Sequence, residues 1–267
     1  MVLFQRLAIP AFILSLLLGA GSANADEDER GDSVVRLSAT AGYHTSIGDY
    51  GNDIETRITY MPFIAKAKYE GWTVKVTIPY LQISGPNTVI GAGEDIVSGQ
   101  VGSVVRKTHS GLGDVVIGLG YTFNLAKRTN LNLTGKVKLP TADEDRNLGT
   151  GKFDYTVETQ LSHSFKNRIS VSAKLGRTFK GTPQRLDLHD LWRGGAGVGY
   201  SFGQGTNLGM NYDYHQSASD GGKPYSQVTA YVGQSLNQDW SAQLYSTKGF
   251  TEGTADYGGG LMIARKF

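Results

Sequence analysis

The sequence of 267 residues contains no cysteine and only 7 prolines, and its 26 basic residues nearly cancel its 24 acidic ones. The lack of cysteine means that the fold needs no disulfide bonds. A net charge of +2 provides no polybasic surface of the kind that binds nucleic acid. Beyond the first 25 residues no apolar run approaches the ~20 residues of a transmembrane helix, and the mean hydropathy is −0.26. The sequence therefore excludes a helical membrane protein and gives no sign of a nucleic-acid-binding one.

The N-terminal segment has the order of parts that is typical of a secretory signal peptide. Arg6 is its basic residue, residues 7–18 form the apolar run, and small residues lead to Ala25. The apolar run is shorter than the ~20 residues that span a bilayer, and Pro10 interrupts it, which disfavours a membrane anchor. We therefore expect a signal peptide at residues 1–25, cleaved after Ala25, and a single domain at residues 26–267.

Glycine and tyrosine are abundant, with 36 and 14 residues, and this mixture suits twisted strands, tight turns and aromatic girdles. Apolar and polar residues alternate in about twelve segments, and the last of these runs from Tyr257 to Phe267, the final residue. Alternation with period two predicts β-strands, and an even number of them is typical of bacterial single-chain barrels. We predict an all-β fold, a transmembrane antiparallel up-and-down barrel of about twelve strands; ten and fourteen also fit the segments.

The connections between these segments alternate between short and long, which predicts periplasmic turns and extracellular loops. The longest connection, residues 84–112, is long enough to fold inward as a constriction. Along residues 54–69 the apolar positions change from even to odd at Pro62, which predicts a β-bulge there. Aromatic residues that end strands predict two belts at the level of the lipid headgroups; they are Tyr43, Tyr80, Phe123, Phe165, Phe202 and Trp240. A soluble β-sandwich or lipocalin-like barrel, with its apolar face inward, is the alternative.

If the apolar faces meet lipid, the opposite faces line the interior. The proposed pore-lining residues are Arg36, Arg57, Lys75, Lys136, Lys138, Lys174, Arg193, Glu158 and Asp114. Glu55, Asp154 and Asp213 are further acidic residues on the same predicted faces. Such charges must be paired or hydrated. They favour a water-filled channel whose field selects solutes, for which the basic excess suggests tolerance of anions; ion pairs that fill a narrow interior are the alternative.

Other chemistry has little support in the sequence. The histidines lack the close spacing of metal ligands, and the acidic run 143–145 lacks the periodic spacing of a calcium loop. His44 lies near Ser46, but no short motif of a hydrolase accompanies them. We therefore expect no catalytic residue, no metal site and no cofactor. Glycines such as Gly195 lie inside strands, where we expect them to allow curvature and close packing beneath interior side chains.

One region shows a more specific pattern. Gly111-Leu112-Gly113-Asp114 opens a strand, Leu139-Pro140-Thr141 enters a loop that closes with Leu148-Gly149-Thr150-Gly151, and Asp154-Tyr155 follows. This pattern resembles a β-barrel porin family that is named for the meta-cleavage pathway of phenol degradation and whose members are often called transporters. Ala142 replaces the glycine that usually follows Leu-Pro-Thr. The resemblance implies an outer-membrane channel for small molecules, with aromatic and other hydrophobic compounds as candidates.

The sequence therefore predicts a channel for passive diffusion in the bacterial outer membrane, reached after secretion across the inner membrane. A lipid- or lipopolysaccharide-modifying enzyme and a closed structural or adhesive barrel are the alternatives. The expected partners are outer-membrane lipid and lipopolysaccharide, a small-molecule solute, and the barrel-assembly machinery, which would read the C-terminal strand ending in Phe267. No nucleic-acid partner is expected.

Overall fold

The computed structural model describes residues 34–51, 54–86, 89–91, 106–184, 186–203 and 205–267. The predicted signal peptide lies outside these residues. No helix in the described part of the chain is long and apolar enough to cross a membrane.

The strands are β1 (Arg36–Gly48), β2 (Thr56–Tyr69), β3 (Trp72–Gly85), β4 (Lys107–Leu112), β5 (Val115–Ala126), β6 (Thr129–Leu139), β7 (Asp154–Ser164), β8 (Ile169–Phe179), β9 (Leu191–Gly203), β10 (Thr206–His215), β11 (Tyr225–Ser235), β12 (Trp240–Gly249) and β13 (Tyr257–Lys266).

The strands form one closed antiparallel sheet. Successive strands pair with each other, and β1 pairs with β13 along a ladder that starts at Ser38 and Lys266. Strands β4 and β5 both pair with β3, one after the other along its length. They are therefore two halves of one barrel strand, and the barrel has twelve strands. This architecture confirms the predicted fold class.

A β-bulge separates β4 from β5. Leu112 pairs with Tyr80, whereas Val116 pairs with Thr77, so the register moves by one residue between them. Such a shift turns the side chains that follow it to the other face of the sheet. The intervening Asp114 consequently points into the barrel, where it meets Lys138.

The bulge predicted at Pro62 is wrong. Pro62 pairs with Pro79 within an unbroken register between β2 and β3. Because the register does not shift, Ile58 and Tyr60 keep the same inward parity as Ile64, and Ile58 is almost fully buried. In the first half of β2 the inward side chains Ile58 and Tyr60 are apolar because loops cover this end of the interior. This is why the apolar positions of the sequence change from even to odd along the strand.

The outward faces of the strands are apolar. The predicted belt residues Tyr43, Tyr80, Phe123, Phe165, Phe202 and Trp240 are all exposed. Between them lie exposed aliphatic side chains such as Leu119, Leu175 and Leu244, and Leu244 is 58% exposed. An apolar band around the outside of a closed barrel is the surface that contacts acyl chains. The arrangement is that of a transmembrane barrel, and the soluble alternative with an apolar core is wrong.

The two ends of the barrel differ, as the loop lengths predicted. The short-turn end carries connections 70–71, 127–128, 165–168, 204–205 and 236–239, together with the start of β1 and the end of β13. The long-loop end carries connections 49–55, 86–106, 140–153, 180–190, 216–224 and 250–256. The assignment of these ends to the periplasm and the outside stays a prediction.

Apolar side chains pack inside the long-loop end. One mouth cluster consists of Tyr50, Ile58, Leu81, Ile83, Val89, Leu148 and Ala255. A second mouth cluster consists of Ile90, Leu186, Leu188, Leu191 and Ala218. Val89 and Ile90 belong to the connection that was predicted to constrict the barrel, and residues 92–105 of that connection lie outside the described residues. Leu148 brings loop 140–153 into the first cluster, so this loop also folds inward.

Candidate functional site

Ion pairs join inward side chains of the neighbouring strands β6 to β10. The Lys174 ammonium lies 2.6 Å from a carboxylate oxygen of Asp213. Glu158 lies between two cations, at 3.6 Å from the Lys136 ammonium and 4.0 Å from the Arg193 guanidinium. We call these five residues the ionic belt. Their side chains are about nine-tenths covered or more, and burial of that degree requires the pairing that they show.

Glycines make these contacts geometrically feasible. Lys174 on β8 and Asp213 on β10 lie two strands apart, a separation of roughly 10 Å between backbones. Gly195 on β9 lies between them, and a Cβ added there would lie only 2.7 Å from Lys174 Cε and 2.8 Å from Asp213 Oδ1. Gly176 lies in the same way between Glu158 and Arg193. The expectation of close packing beneath interior side chains is therefore confirmed at Gly195.

A second buried network lies nearer the long-loop end. The Lys138 ammonium lies 2.7 Å from Asp114 and 3.3 Å from Asp154, and Lys180 donates to Asp154 at 2.8 Å. Lys138 also donates to the Thr150 hydroxyl at 3.0 Å. Charges of opposite sign thus alternate along the chain Asp114, Lys138, Asp154 and Lys180, which we call the Lys138 network. Its side chains are less than a tenth exposed.

The motif residues hold loop 140–153 onto this network. Thr141 accepts a hydrogen bond from the Val115 amide at 2.9 Å and donates to the Gly113 carbonyl at 3.0 Å. The Ala142 amide donates to Asp114 at 3.0 Å, and the Ala142 side chain packs against the first mouth cluster. A Cβ on Gly149 would lie 2.7 Å from Asp114, so glycine is required for this close approach. The motif pieces, which are scattered in sequence, therefore meet around Asp114.

A cavity of about 40 Å³ lies between the first mouth cluster and the Lys138 network. Leu81 and Leu148 of the first mouth cluster form its apolar side, and Asp114 and Lys138 form its polar side. A volume of this size holds a few water molecules at most, because one water needs roughly 10–15 Å³.

The short-turn end of the interior is basic. Arg36 pairs across the sheet with Lys68, and Ser38 pairs with Lys66 on one side and Lys266 on the other. These four cations lie on the inward parity of β1, β2 and β13, and Lys66 interacts electrostatically with Lys68 and Lys266. We call Arg36, Lys66, Lys68 and Lys266 the basic rim. Of these four residues only Arg36 was predicted to line the pore, and Lys266 comes next to β1 only when the last strand closes the barrel.

The two remaining predicted pore-lining residues, Lys75 and Arg57, point to opposite faces of the sheet. Lys75 is inward and buried, and it pairs across the sheet with Lys66. Arg57 is an outward residue, because it shares the parity of the exposed Phe63 in an unbroken strand. Its prediction as a pore-lining residue is wrong, and the mistaken bulge at Pro62 is the reason. Glu55, which was expected on the same face as the other acids, precedes β2 and is exposed.

The histidine and serine that could have formed a catalytic pair have other contacts. The His44 ring stacks on Tyr245 at 5.5 Å between ring centroids, with an angle of 3° between the planes. Ser46 forms a side-chain hydrogen bond with Tyr50. Among the described residues, no group of three histidine, aspartate or glutamate side chains is placed to hold a metal ion.

Comparison with known proteins agrees with this architecture. The most similar solved structures include an outer-membrane channel from Pseudomonas putida F1, which has a TM-score of 0.71 and 14% identity over 90% of this chain and 100% of that chain. The KdgM porin has a TM-score of 0.55 at 7% identity, covering 86% of this chain and 99% of that chain. The NanC porin has a TM-score of 0.52 at 10% identity, covering 85% of this chain and 97% of that chain. At these identities the likeness shows a shared barrel fold.

At the level of sequence, no curated protein matches the chain. The model of one family matches residues 24–267, and that family is described as "Putative MetA-pathway of phenol degradation". The match covers nearly the whole chain, including all the motif residues around Asp114. The protein therefore belongs to this family, as its motifs implied.

Proposed function

We propose that the protein is an outer-membrane channel through which small solutes diffuse passively. The observation that carries the proposal is a closed barrel with an apolar outside and a charged interior, because charge inside a lipid-facing wall serves solutes that cross in water. The fold shared with an outer-membrane channel and two porins supports it.

Two features suggest the kind of solute. The inward cations of the basic rim and Lys75 favour anions over cations at the short-turn end. The mouth clusters make the other end of the interior apolar, and the family description refers to phenol degradation, so aromatic or other hydrophobic compounds are the solutes to test first.

The proposed location implies several partners. A cleaved signal peptide at residues 1–25 would direct the chain across the inner membrane. The barrel-assembly machinery would then read β13 and Phe267, and lipid and lipopolysaccharide would cover the apolar band. In this orientation the short-turn end faces the periplasm.

Single-channel recording on the refolded barrel in a planar bilayer tests the proposal. We expect discrete conductance steps and, in a KCl gradient, a reversal potential that shows preference for chloride. A barrel that is folded, as judged by its heat-modifiable mobility in gels, and that gives no conductance steps would contradict the proposal.

A closed structural barrel is the second candidate, and one observation favours it. Arg193 and Lys138 are 7% and 5% exposed, so very little of these ion-paired side chains is accessible from a lumen. The same recording distinguishes the two candidates, because a closed barrel gives no steps at any voltage.

A further inference from the structure

The outward face of the barrel becomes polar towards the long-loop end of β2 and β3. In that direction the outward residues are Met61, Thr59 and Arg57 on β2, and Tyr80, Gln82 and Ser84 on β3. Both strands pass from an apolar side chain to neutral polar ones, and β2 then reaches a cation. Strand β12 repeats the order of β2 with Leu244, Ser246 and Lys248. On this side the apolar band therefore ends in hydroxyl and amide groups, with basic groups beyond them.

Two arginines and two hydroxyls come together at this place. Arg57 lies directly opposite Ser84, and Ser84 lies opposite Thr108, whose hydroxyl donates to the Ser84 hydroxyl at 2.9 Å. Arg106 precedes β4, and its Nη2 donates to the carbonyl oxygen of Glu55, just before β2, at 3.0 Å. Two guanidinium groups therefore flank a pair of hydroxyls on one outward surface. We call Arg57, Gln82, Ser84, Arg106 and Thr108 the outer patch.

The charge of this surface is positive. Two exposed arginines stand against the exposed Glu55. Lys248 adds a third cation in the same row of paired residues, in which Lys248 pairs with Tyr257, Tyr257 with Ile47, and Ile47 with Arg57. Three strand spacings, about 14 Å, separate Lys248 from Arg57. The Lys248 ammonium lies 3.8 Å from the centre of the Tyr257 ring. Among the residues that the structure describes, neither Arg57 nor Lys248 pairs with a carboxylate.

The order of these groups matches the order of groups in one kind of lipid. Guanidinium groups bind phosphate through paired hydrogen bonds, and hydroxyl and amide side chains bind sugar hydroxyls. A phospholipid has no sugar between its acyl chains and its phosphate. Lipid A, the membrane anchor of lipopolysaccharide, has an acylated disaccharide with a phosphate at each end, and such a disaccharide suits the separation of Arg57 and Lys248.

We infer that the outer patch and Lys248 form a binding site for the phosphorylated disaccharide of lipid A. The acyl chains would lie against Met61, Tyr80 and Leu244, and the two phosphates would meet the arginines and Lys248. This inference rests on the proposed outer-membrane location, in which the long-loop end faces outside, where lipopolysaccharide lies. It does not require that the barrel conducts.

Native mass spectrometry of the refolded protein in detergent, titrated with lipid A, dephosphorylated lipid A or phosphatidylglycerol, tests the site. Lipid A should bind about tenfold more tightly than either of the other lipids, because only lipid A offers both sugar and phosphate. The double variant Arg57→Gln with Arg106→Gln, and separately Lys248→Gln, should each weaken lipid A binding about tenfold. Arg177→Gln is the matched control, because Arg177 also faces outward near the long-loop end but already pairs with Asp190 at 3.2 Å.

The site is refuted if lipid A binds no more tightly than phosphatidylglycerol, because an ordinary contact with lipid phosphate would then suffice. It is also refuted if the double variant binds lipid A as the wild type does, or if Arg177→Gln weakens binding equally. Should the double variant fail to refold, Lys248→Gln decides. Conductance of the same preparation separates the two proposals: conductance steps without preference for lipid A refute the site alone, and lipid A binding without conductance steps refutes the channel alone.

Discussion

The Lys174 ammonium and the Asp213 carboxylate form a 2.6 Å ion pair although a whole strand, β9, lies between the strands that carry them. The pair passes over Gly195, where any side chain would occupy the same space. A glycine within a strand, usually a weakness, is here the condition for a buried contact between second-neighbour strands.

Replacing Gly195 by leucine should therefore destabilise the barrel by at least about 3 kcal/mol, because it separates a buried ion pair and overpacks the wall. Urea unfolding in lipid vesicles measures the loss. Gly194→Leu is the control: its side chain would point outward, with the nearest atom, the Lys174 carbonyl oxygen, at 3.4 Å. We expect the control to change stability by about 0.5 kcal/mol or less. Equal losses in both variants would contradict the role of Gly195.

Lys138→Met should remove the cation that pairs with the buried Asp114 carboxylate, whereas Asp154 keeps its 2.8 Å contact with Lys180. Leaving a buried charge uncompensated costs about 3–5 kcal/mol. Loop 140–153 should also become more sensitive to proteases, since Lys138 anchors it through Thr150. In the same loop Arg146 forms an exposed pair with Asp143, so Arg146→Met should cost less than about 1 kcal/mol. A wild-type cleavage rate in Lys138→Met would show that the network does not hold the loop.

Alkaline pH should lower the stability of the barrel, because the buried Tyr50 belongs to the first mouth cluster. Burial raises the pKa of the Tyr50 phenol above its usual value of 10.0, and the nearby Asp256 adds to the effect. Above about pH 10 the unfolded state loses this proton while the folded state keeps it, so stability falls as pH rises. Tyr50→Phe should lack this part of the decrease. Unfolding midpoints at about pH 8 and pH 11 compare the two proteins, and parallel decreases would contradict the prediction.

Lys136→Gln should reduce the preference for chloride. The substitution removes the Lys136 ammonium from beside Glu158 and makes the belt less positive. The reversal potential in a KCl gradient should move towards that of potassium. Arg177→Gln is the control, because Arg177 is on the outward face, where it pairs with Asp190. A similar shift in both variants would indicate a general surface effect.

Phe267→Ala should impair assembly in cells more than stability after refolding. Phe267 is 70% exposed; its amide donates to the Leu37 carbonyl at 3.0 Å, and its ring lies 4.9 Å from the exposed Arg265 guanidinium. The refolded variant should unfold within about 1 kcal/mol of the wild type. In cells we expect several-fold less protein in the outer-membrane fraction. Phe250→Ala, in a long loop and 60% exposed, should assemble normally.

The strands and their outward faces could be predicted because lipid imposes a local rule. Each lipid-facing residue must be apolar regardless of its neighbours, so a residue such as Leu175 or Phe123 reveals its orientation by its position in the alternation. The closing strand and the loop lengths follow from the same local reading. For these reasons the alternation predicted the twelve barrel strands, although it did not predict the bulge that divides one of them into β4 and β5.

The interior could not be predicted in the same way because its contacts depend on the closed barrel. Arg57 was misplaced because Ile58 and Tyr60 are apolar and yet point inward, under loops that a strand pattern does not reveal. Lys180 lies in a loop, and only the packing of loop 180–190 brings it to Asp154. Asp114 was correctly expected inside, but its position depends on a bulge at Gly113 and Asp114 that the alternation did not reveal.

The ladder between β1 and β13 joins the first strand of the barrel to the last. Ser38 finds its partner Lys266 only after every other strand has been synthesised. Until then both outer strands have unpaired backbone groups, which are prone to aggregation. Contacts of such high sequence separation also make folding slow. On the proposed route through the periplasm, we therefore expect the polypeptide to travel unfolded and to depend on chaperones that shield these edges.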